Sequence, residues 1–257
     1  MRLRRILIAN RGEIAVRIIR TCNELGIETI LAASEADLDS VPARLADRTI
    51  CIGAPPPGSS YLNAESIVSA AVTAKAEAVH PGYGFLAENS ALARRCISAG
   101  ITFIGATAAQ LDAMGDKLKA RQHASDAGLP VLPGGAVENL TAARKLAETL
   151  GWPVLIKSVG GGGGRGLKPV HQATELETTL DLAMAESHAA FGDARVYLER
   201  LVHSGRHVEV QILGDGKNIV HLGDRDCSIQ RRYQKLLEEA PAPDLPDEVR
   251  SSMNCCT

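Results

Sequence analysis

Apolar residues in the first part of the chain switch repeatedly between two periods. Ile6-Leu7-Ile8-Ala9 is a short continuous apolar run, and Ile14, Ile18, Cys22 and Leu25 then recur at helical spacing. Gly26 closes that helix and Glu28 to Ala33 returns to strand. Thr49 to Ile52, Ala76 to Val79 and Ile101 to Ile104 read as further strands, with helices marked by Ile67, Ala71 and Ala74 and by Ala91 to Ile97. Strand and helix in alternation predict a parallel sheet with helices on both faces, and ligands in such sheets bind beyond the carboxyl ends of the strands. Asn10-Arg11-Gly12-Glu13 and His80-Pro81-Gly82-Tyr83-Gly84 both fall at such ends.

The pattern changes after Ala108. Leu111 to Ala127 reads as one helix, ended by Gly128-Leu129-Pro130, and Thr141 to Leu150 as a second. Thr174 to Ser187 is a third helix, followed by strands at Arg195 to Leu198, His207 to Leu213 and Asn218 to Leu222. Two units are therefore expected: an α/β domain over residues 1 to about 110, and an α+β stretch from near Ala108 onward that reads as a lid over a nucleotide cleft. Glu238 to Pro243, a helix start at Pro246 to Arg250 and a stop at Thr257, with Cys255-Cys256 at the very end, read as a piece of a longer protein.

Between two of these short apolar runs lies the most informative stretch. Pro153-Val-Leu-Ile-Lys157 leads into Gly160-Gly-Gly-Gly-Gly164-Arg165-Gly166, and Leu167 to Val170 resumes as strand. Glycine lacks Cβ, so its N–H groups can approach a bulky anion closely, and Lys157 and Arg165 stand at the edges of the run. This is not a P-loop, which requires Gly-Lys-Ser/Thr opening a helix. A flexible linker is the bland alternative, but linkers seldom sit between apolar runs with hairpin spacing. The stretch is expected to cover a polyphosphate.

Composition narrows the partners. Net charge is −2, so no field gathers nucleic acid or an anionic membrane, and aromatics at 3% argue against a base-stacking surface. Six cysteines without C-x-x-C or zinc spacing read as reduced thiols. No apolar run approaches the ~20 residues of a membrane span, and the run after Met1-Arg-Leu-Arg-Arg5 is too short for a signal peptide. A cytoplasmic location is expected, with neither nucleic acid nor membrane as partner.

Several motifs together resemble biotin carboxylase, the ATP-grasp component of the biotin-dependent carboxylases. They are Ile8-Ala-Asn-Arg-Gly-Glu-Ile-Ala15, the His80 to Asn89 segment, Met114-Gly-Asp-Lys117, Lys157 with its glycine run, Arg206-His-Val-Glu209 and Arg225-Asp-Cys-Ser-Ile-Gln-Arg-Arg-Tyr-Gln-Lys235. The resemblance implies a Rossmann-like amino-terminal domain over residues 1–115 and an incomplete ATP-grasp domain over 116–257, with its lid over about 130–204. It implies that ATP and bicarbonate form carboxyphosphate, which carboxylates biotin on a biotin carboxyl carrier protein. A carboxyltransferase component would follow, in an acyl-CoA carboxylase of acetyl-CoA type serving fatty acid synthesis, and the complete protein would be a homodimer. Lys117 and Lys157 would contact the phosphates, with Gly163 and Gly164 giving backbone donors. Glu199 would accept from the adenine amino group beside the backbone of Arg200, Leu201 and Val202, and His207 would lie against the nucleotide. Lys235 would bind bicarbonate, with Gln230 lining the same pocket.

Two departures from the family pattern stand out. Tyr233 occupies a position where the family often has histidine, which implies altered nucleotide contacts. The acidic ligands that hold Mg²⁺ or Mn²⁺ in the family lie beyond Thr257, so no metal ligand is assigned here and this chain alone is expected to turn over little. Other readings stay open. Lys117 alone could be a solvated lysine, His80 a turn residue, and His203 and His221 ordinary. Arg231-Arg232 are expected to pair with Asp224, Asp226, Glu238 and Glu239; Asp224 and Asp226 as metal ligands rank below that. A different ATP-grasp ligase, such as a carbamoyl-phosphate synthase half, or a non-catalytic nucleotide-binding or dimerising module, are the rival functions.

Overall fold

The computed structural model describes residues 3–160, 166–231 and 233–255. The chain divides into two compact units, Met1–Gly115 and Asp116–Thr257.

In the first unit β1 (Arg5–Ile8), α1 (Gly12–Glu24), β2 (Glu28–Ala33), α2 (Val41–Leu45), β3 (Arg48–Cys51), α3 (Ala64–Thr73), β4 (Ala78–His80), α4 (Ser90–Ser98), β5 (Thr102–Phe103) and α5 (Ala108–Gly115) follow in turn. The strands form one parallel sheet in the order β3-β2-β1-β4-β5. Side chains alternate across it. Leu7, Ile30, Ala32 and Val79 pack with Ile67, Ala71, Leu92 and Cys96 of α3 and α4. Ile6, Ile8, Leu31 and Ala78 pack with Ala15, Ile19 and Cys22 of α1. The double layer of helices is thus written into which strand positions are apolar.

Strand order reverses about β1, and the two loops that leave β1 and β4 interlock there. Asn10 Nδ2 donates to the carbonyls of Pro81 and Tyr83, each at 2.8 Å, and His80 Nδ1 accepts from the Gly82 N–H at 3.1 Å. Gly82 has φ of +64°, and a Cβ there would stand 2.6 Å from Ile14, so glycine is required for the loops to close together. A groove of about 720 Å³ opens at this end, lined in part by Arg11, Asp37, Tyr83 and Phe85.

The second unit begins with α6 (Lys117–Asp126). The single helix predicted over Leu111 to Ala127 is two helices, because the Asp116 carboxylate caps a new start: it accepts from the N–H groups of Leu118 and Lys119 at 3.0 and 3.1 Å. Then follow β6 (Gly134–Val137), α7 (Leu140–Leu150), β7 (Val154–Ser158), β8 (Leu167–Val170), α8 (Leu176–Phe191) and β9 (Val196–Arg200). These four strands form an antiparallel sheet in the order β6-β9-β7-β8. Val154, Ile156, Val170, Val196 and Leu198 face Ala143, Ala147, Leu150, Leu176 and Leu180 from α7 and α8, with Trp152 packed at the side.

At the loop end of the β7–β8 hairpin, Ser158 N–H donates to the Gly166 carbonyl at 3.0 Å. A Cβ on Gly166 would fall 2.2 Å from Ser158 Oγ, and its φ is +75°. Only glycine fits at this point, where the strand meets the loop.

A second antiparallel sheet is formed by β10 (Val208–Gly214), β11 (Ile219–Arg231) and β12 (Gln234–Glu239), and α9 (Asp247–Cys255) comes last. Here expectation and structure differ most. The predicted strand Asn218 to Leu222 extends through Arg231, and β12, which carries Lys235, was not foreseen. Asp224, Arg225 and Asp226 look like loop in sequence but are held in strand by ion pairs. Asp224 takes Arg250 at 3.0 Å and Asp226 takes Arg206 at 2.7 Å. The expected pairing of these two acids with Arg231-Arg232 is therefore corrected for Arg231; Arg232 lies outside the described residues. Leu213, Ile219, Leu222, Leu236 and Leu237 on this sheet are all more than half exposed.

Candidate active site

Two clusters in the second unit gather five of the residues singled out in sequence: Lys157 and Glu199 in one, His207, Gln230 and Lys235 in the other. The first lies on the face of the four-stranded sheet opposite its helices. Lys157 of β7 and Glu199 of β9 point the same way, and Lys157 Nζ donates to Glu199 Oε1 at 2.9 Å. The side chain of Glu199 is only 6% exposed. Its other oxygen lies 3.3 Å from Arg121 Nη1, brought in from α6. Both cations also sit 5.7 Å from the centre of the Tyr197 ring. Burial works to lower the Lys157 pKa, but the hydrogen bond and charge of Glu199 outweigh it and the ammonium is held above its ordinary value.

Lys117 opens α6, one residue after the Asp116 cap, and its N–H donates to the Val159 carbonyl at 3.5 Å. Arg195 pins the cap by pairing with Asp116 at 3.1 Å and with Asp193 at 2.7 Å. The edge after Glu199 is partly engaged already. Arg200 and Leu201 donate their N–H groups inward to Pro133 and Pro153, at 3.0 and 3.3 Å, and the Arg200 guanidinium holds the Leu150 carbonyl. Val202 is half exposed.

The second cluster is on the three-stranded sheet. Lys235 Nζ lies 2.5 Å from Glu209 Oε2, and Arg225 pairs with the other oxygen of the same carboxylate. Glu209 raises the Lys235 pKa, against the opposing effect of desolvation. Desolvation would raise the Glu209 pKa in turn, but Lys235 and Arg225 together bring it below the usual carboxylate value. Gln230 Nε2 donates to the Cys227 carbonyl at 2.8 Å and lies 3.1 Å from His207 Nδ1. The first bond fixes which end of the amide is the donor. His207 Nδ1 must then accept, which leaves Nε2 as the protonated nitrogen of the neutral ring, 3.7 Å from Glu209. Tyr233 stands in the turn between β11 and β12 with φ of +63° and an exposed ring. Gly163, Gly164 and Arg165 lie outside the described residues.

Sequence reasoning gave no role to Arg121, Tyr197 or Glu209. For Arg121 a signal existed: it stands four residues after Lys117, one turn along the same helix face. Among the described residues, Glu209, Cys227 and Glu238 bring possible metal-ligand atoms within 4.8 Å of one another. Glu209 is already committed to Lys235 and Arg225, and Arg225 also reaches Glu238 at 3.5 Å. A thiol and two neutralised carboxylates do not suit Mg²⁺, which takes hard oxygen ligands.

Residues 2–111 match the family described as biotin carboxylase, N-terminal domain, and residues 116–256 the one described as carbamoyl-phosphate synthase L chain, ATP binding domain. The chain is 48% identical over 254 residues to biotin carboxylase 1 of Bacillus subtilis, covering 98% of this chain and 56% of that protein. It is 45% identical over 252 residues to a pyruvate carboxylase subunit of Methanothermobacter thermautotrophicus, covering 97% of this chain and 51% of that protein. Among solved structures, the Campylobacter jejuni biotin carboxylase in its complex with beta-gamma-ATP aligns with a TM-score of 0.96 at 45% identity, over 99% of this chain and 58% of that one. The biotin carboxylase domain dimer of Hydrogenobacter thermophilus 2-oxoglutarate carboxylase, in complex with MgADP, ADP and bicarbonate, aligns with a TM-score of 0.96 at 43% identity, over 100% of this chain and 57% of that one. The chain spans about half the length of the curated relatives it matches. With both of its units matched and its fold shared end to end with these proteins, the chain belongs to the biotin carboxylase family.

Proposed function

We propose that this chain carries the nucleotide-binding and bicarbonate-binding part of an ATP-dependent biotin carboxylase. Its amino-terminal domain is residues 1–115, and residues 116–257 are part of the ATP-grasp domain, with the lid over about 130–204. The observation that carries the reading is the pair of lysines, Lys117 at a capped helix start and Lys157 at the end of a strand running into the glycine stretch. Phosphoryl transfer needs little from a protein beyond positioning and neutralisation of charge on the transferring oxygens, and ammonium groups with backbone donors supply both. Lys117 and Lys157 hold the phosphates, and Gly163 and Gly164 add N–H donors.

The adenine lies along the Glu199 to Val202 edge. The Glu199 carboxylate has acceptor capacity beyond its two cations for the adenine amino group, and the Val202 N–H is the donor we assign, since those of Arg200 and Leu201 point inward. His207 borders the nucleotide, and Tyr233 alters contacts there. Lys235 attracts bicarbonate, with Gln230 orienting His207 and lining the pocket. Bicarbonate oxygen attacks the terminal phosphorus and displaces ADP to give carboxyphosphate; its C–O bond to the phosphate breaks to release CO₂ and inorganic phosphate, and the ureido nitrogen of biotin gives its proton to that phosphate as it bonds to the CO₂. Mg²⁺ would be held by residues outside this chain.

The carrier of biotin is a biotin carboxyl carrier protein, and a carboxyltransferase component takes the product onward. An acetyl-CoA carboxylase type of system, cytoplasmic and serving fatty acid synthesis, is the assignment we favour for the complete homodimer. A pyruvate-carboxylating system is the second reading, favoured by the Methanothermobacter relative. Among the described residues no helix is long and apolar enough to cross a membrane.

Calorimetric titration of the chain with ATP tests the core of this reading. Lys117→Ala and Lys157→Ala are each expected to weaken binding about tenfold, equivalent to ~1.4 kcal/mol. Unchanged affinity in the folded double variant would overturn it.

A further inference from the structure

A buried carboxylate with a lysine partner poses a problem for any mechanism in which that lysine must serve a ligand. If Lys157 turns from Glu199 toward a polyphosphate, Glu199 keeps its charge in a site where its side chain is only 6% exposed. Removing one partner of a buried pair is strongly unfavourable because the charge left behind is uncompensated. The usual escape is protonation, since buried glutamates with pKa of about 8–9 are known.

The described residues around Glu199 offer a different escape. Arg121 lies 3.3 Å from Oε2, the oxygen that Lys157 does not use. It is independently anchored, because its Nη2 donates to the Leu132 carbonyl and its guanidinium lies over the Tyr197 ring. Arginine is always charged and presents a rigid fork, so it keeps its place when the flexible lysine moves. Among the described residues, the ion pairs given to Glu199 are those with Lys157 and Arg121. Tyr197, on the same strand, is neutral, its pKa raised chiefly by burial, and β6 places only Gly134 opposite Glu199.

We propose that Arg121 is a positioning residue that stays with Glu199 as a standing counter-ion, freeing Lys157 to engage the nucleotide phosphates without proton uptake. The inference rests on the phosphate-binding role proposed for Lys157. Arg121 touches neither phosphate nor bicarbonate in this scheme; it acts through Glu199 and Lys157.

The test is ATP titration calorimetry on the chain in buffers of different ionisation enthalpy, above pH 7.5, where the terminal phosphate (second pKa about 6) is ionised. The protein as isolated should bind ATP with little net proton exchange. Arg121→Met should bind about tenfold more weakly and take up close to one proton, so that its affinity rises as pH falls. Arg121→Lys should restore most of the affinity and abolish the uptake. A second arm guards against misfolding of Arg121→Met: on a Glu199→Gln background there is no charge to compensate, and adding Arg121→Met should change affinity less than twofold. Proton exchange in Arg121→Met equal to that of the parent, or a tenfold effect persisting on the Glu199→Gln background, overturns the proposal. Lys157→Met separates the two levels. If it leaves ATP affinity unchanged, the phosphate role of Lys157 is wrong; if it weakens binding while Arg121→Met behaves like the parent, only the counter-ion role is wrong.

Discussion

Lys235 Nζ lies 2.5 Å from Oε2 of Glu209, so the ammonium group assigned to bicarbonate is paired before any anion arrives. The same carboxylate also holds Arg225, which makes Glu209 the hub of the second cluster. Its pKa is depressed, so the stabilisation it gives is present above the ordinary carboxylate value and is lost as pH falls through the depressed one. Asp226 behaves alike: hydrogen bonds from Ser228, with Arg206, bring its pKa down to about 2. Glu209→Gln should therefore flatten the decline of the urea midpoint as pH falls below the ordinary carboxylate range. A slope equal to that of the parent would show that the pairing contributes nothing to the fold.

The cap at Asp116 links stability to the placement of Lys117. Asp116→Ala removes the acceptor for two N–H groups, and loss of such a cap costs ~1 kcal/mol. Denaturant unfolding should register that loss. ATP titration should show a weakening beyond twofold, because the first turn of α6 carries Lys117; an unchanged affinity would mean that this turn holds its place without the cap.

Ser158 and Gly166 should respond in opposite directions. Ser158 Oγ is buried with no hydrogen-bond partner among the described residues, and Ser158 alternates along β7 with the buried Val154 and Ile156. Ser158→Ala removes an unsatisfied hydroxyl and should be neutral or stabilising by up to ~1 kcal/mol. Gly166→Ala forces a Cβ onto Ser158 at a positive φ and should destabilise by ~2 kcal/mol or more. Urea denaturation of both variants checks the pair.

In the first unit the Tyr61 hydroxyl accepts from the buried Ser34 N–H at 3.1 Å and donates to Asp37 at 2.8 Å. Tyr61→Phe leaves that N–H unsatisfied, and a loss of about 1–3 kcal/mol is expected, read from far-UV circular dichroism melts.

The parts of the fold that were legible in sequence are those in which burial writes the pattern. Ile6 to Ala9 is apolar because that strand is buried throughout, Val154 and Ile156 because they face the helices, and the glycine run is flanked by strands that do form a hairpin. The three-stranded sheet was less legible. Most of β12 is exposed, and the middle of β11 is charged, so neither carries a two-residue hydrophobic period. The break between α5 and α6 was missed because Leu111, Met114 and Leu118 keep helical spacing across it, and only the Asp116 side chain shows where one helix ends. Lys157 and Lys235 stood out by their surroundings in sequence. Arg121 and Glu209 did not, because their partners come from other elements: Glu199 lies 78 residues from Arg121 and Lys235 lies 26 from Glu209.

Trp152 is the sole tryptophan in the chain and packs beside the core of the second unit. Its emission consequently reports on one half of the molecule and is blind to the other, whereas the helices seen by circular dichroism come from both. Heating the protein while recording both signals distinguishes one cooperative melt from two, with no label introduced. A fluorescence transition displaced from the dichroic one would assign the more fragile half directly.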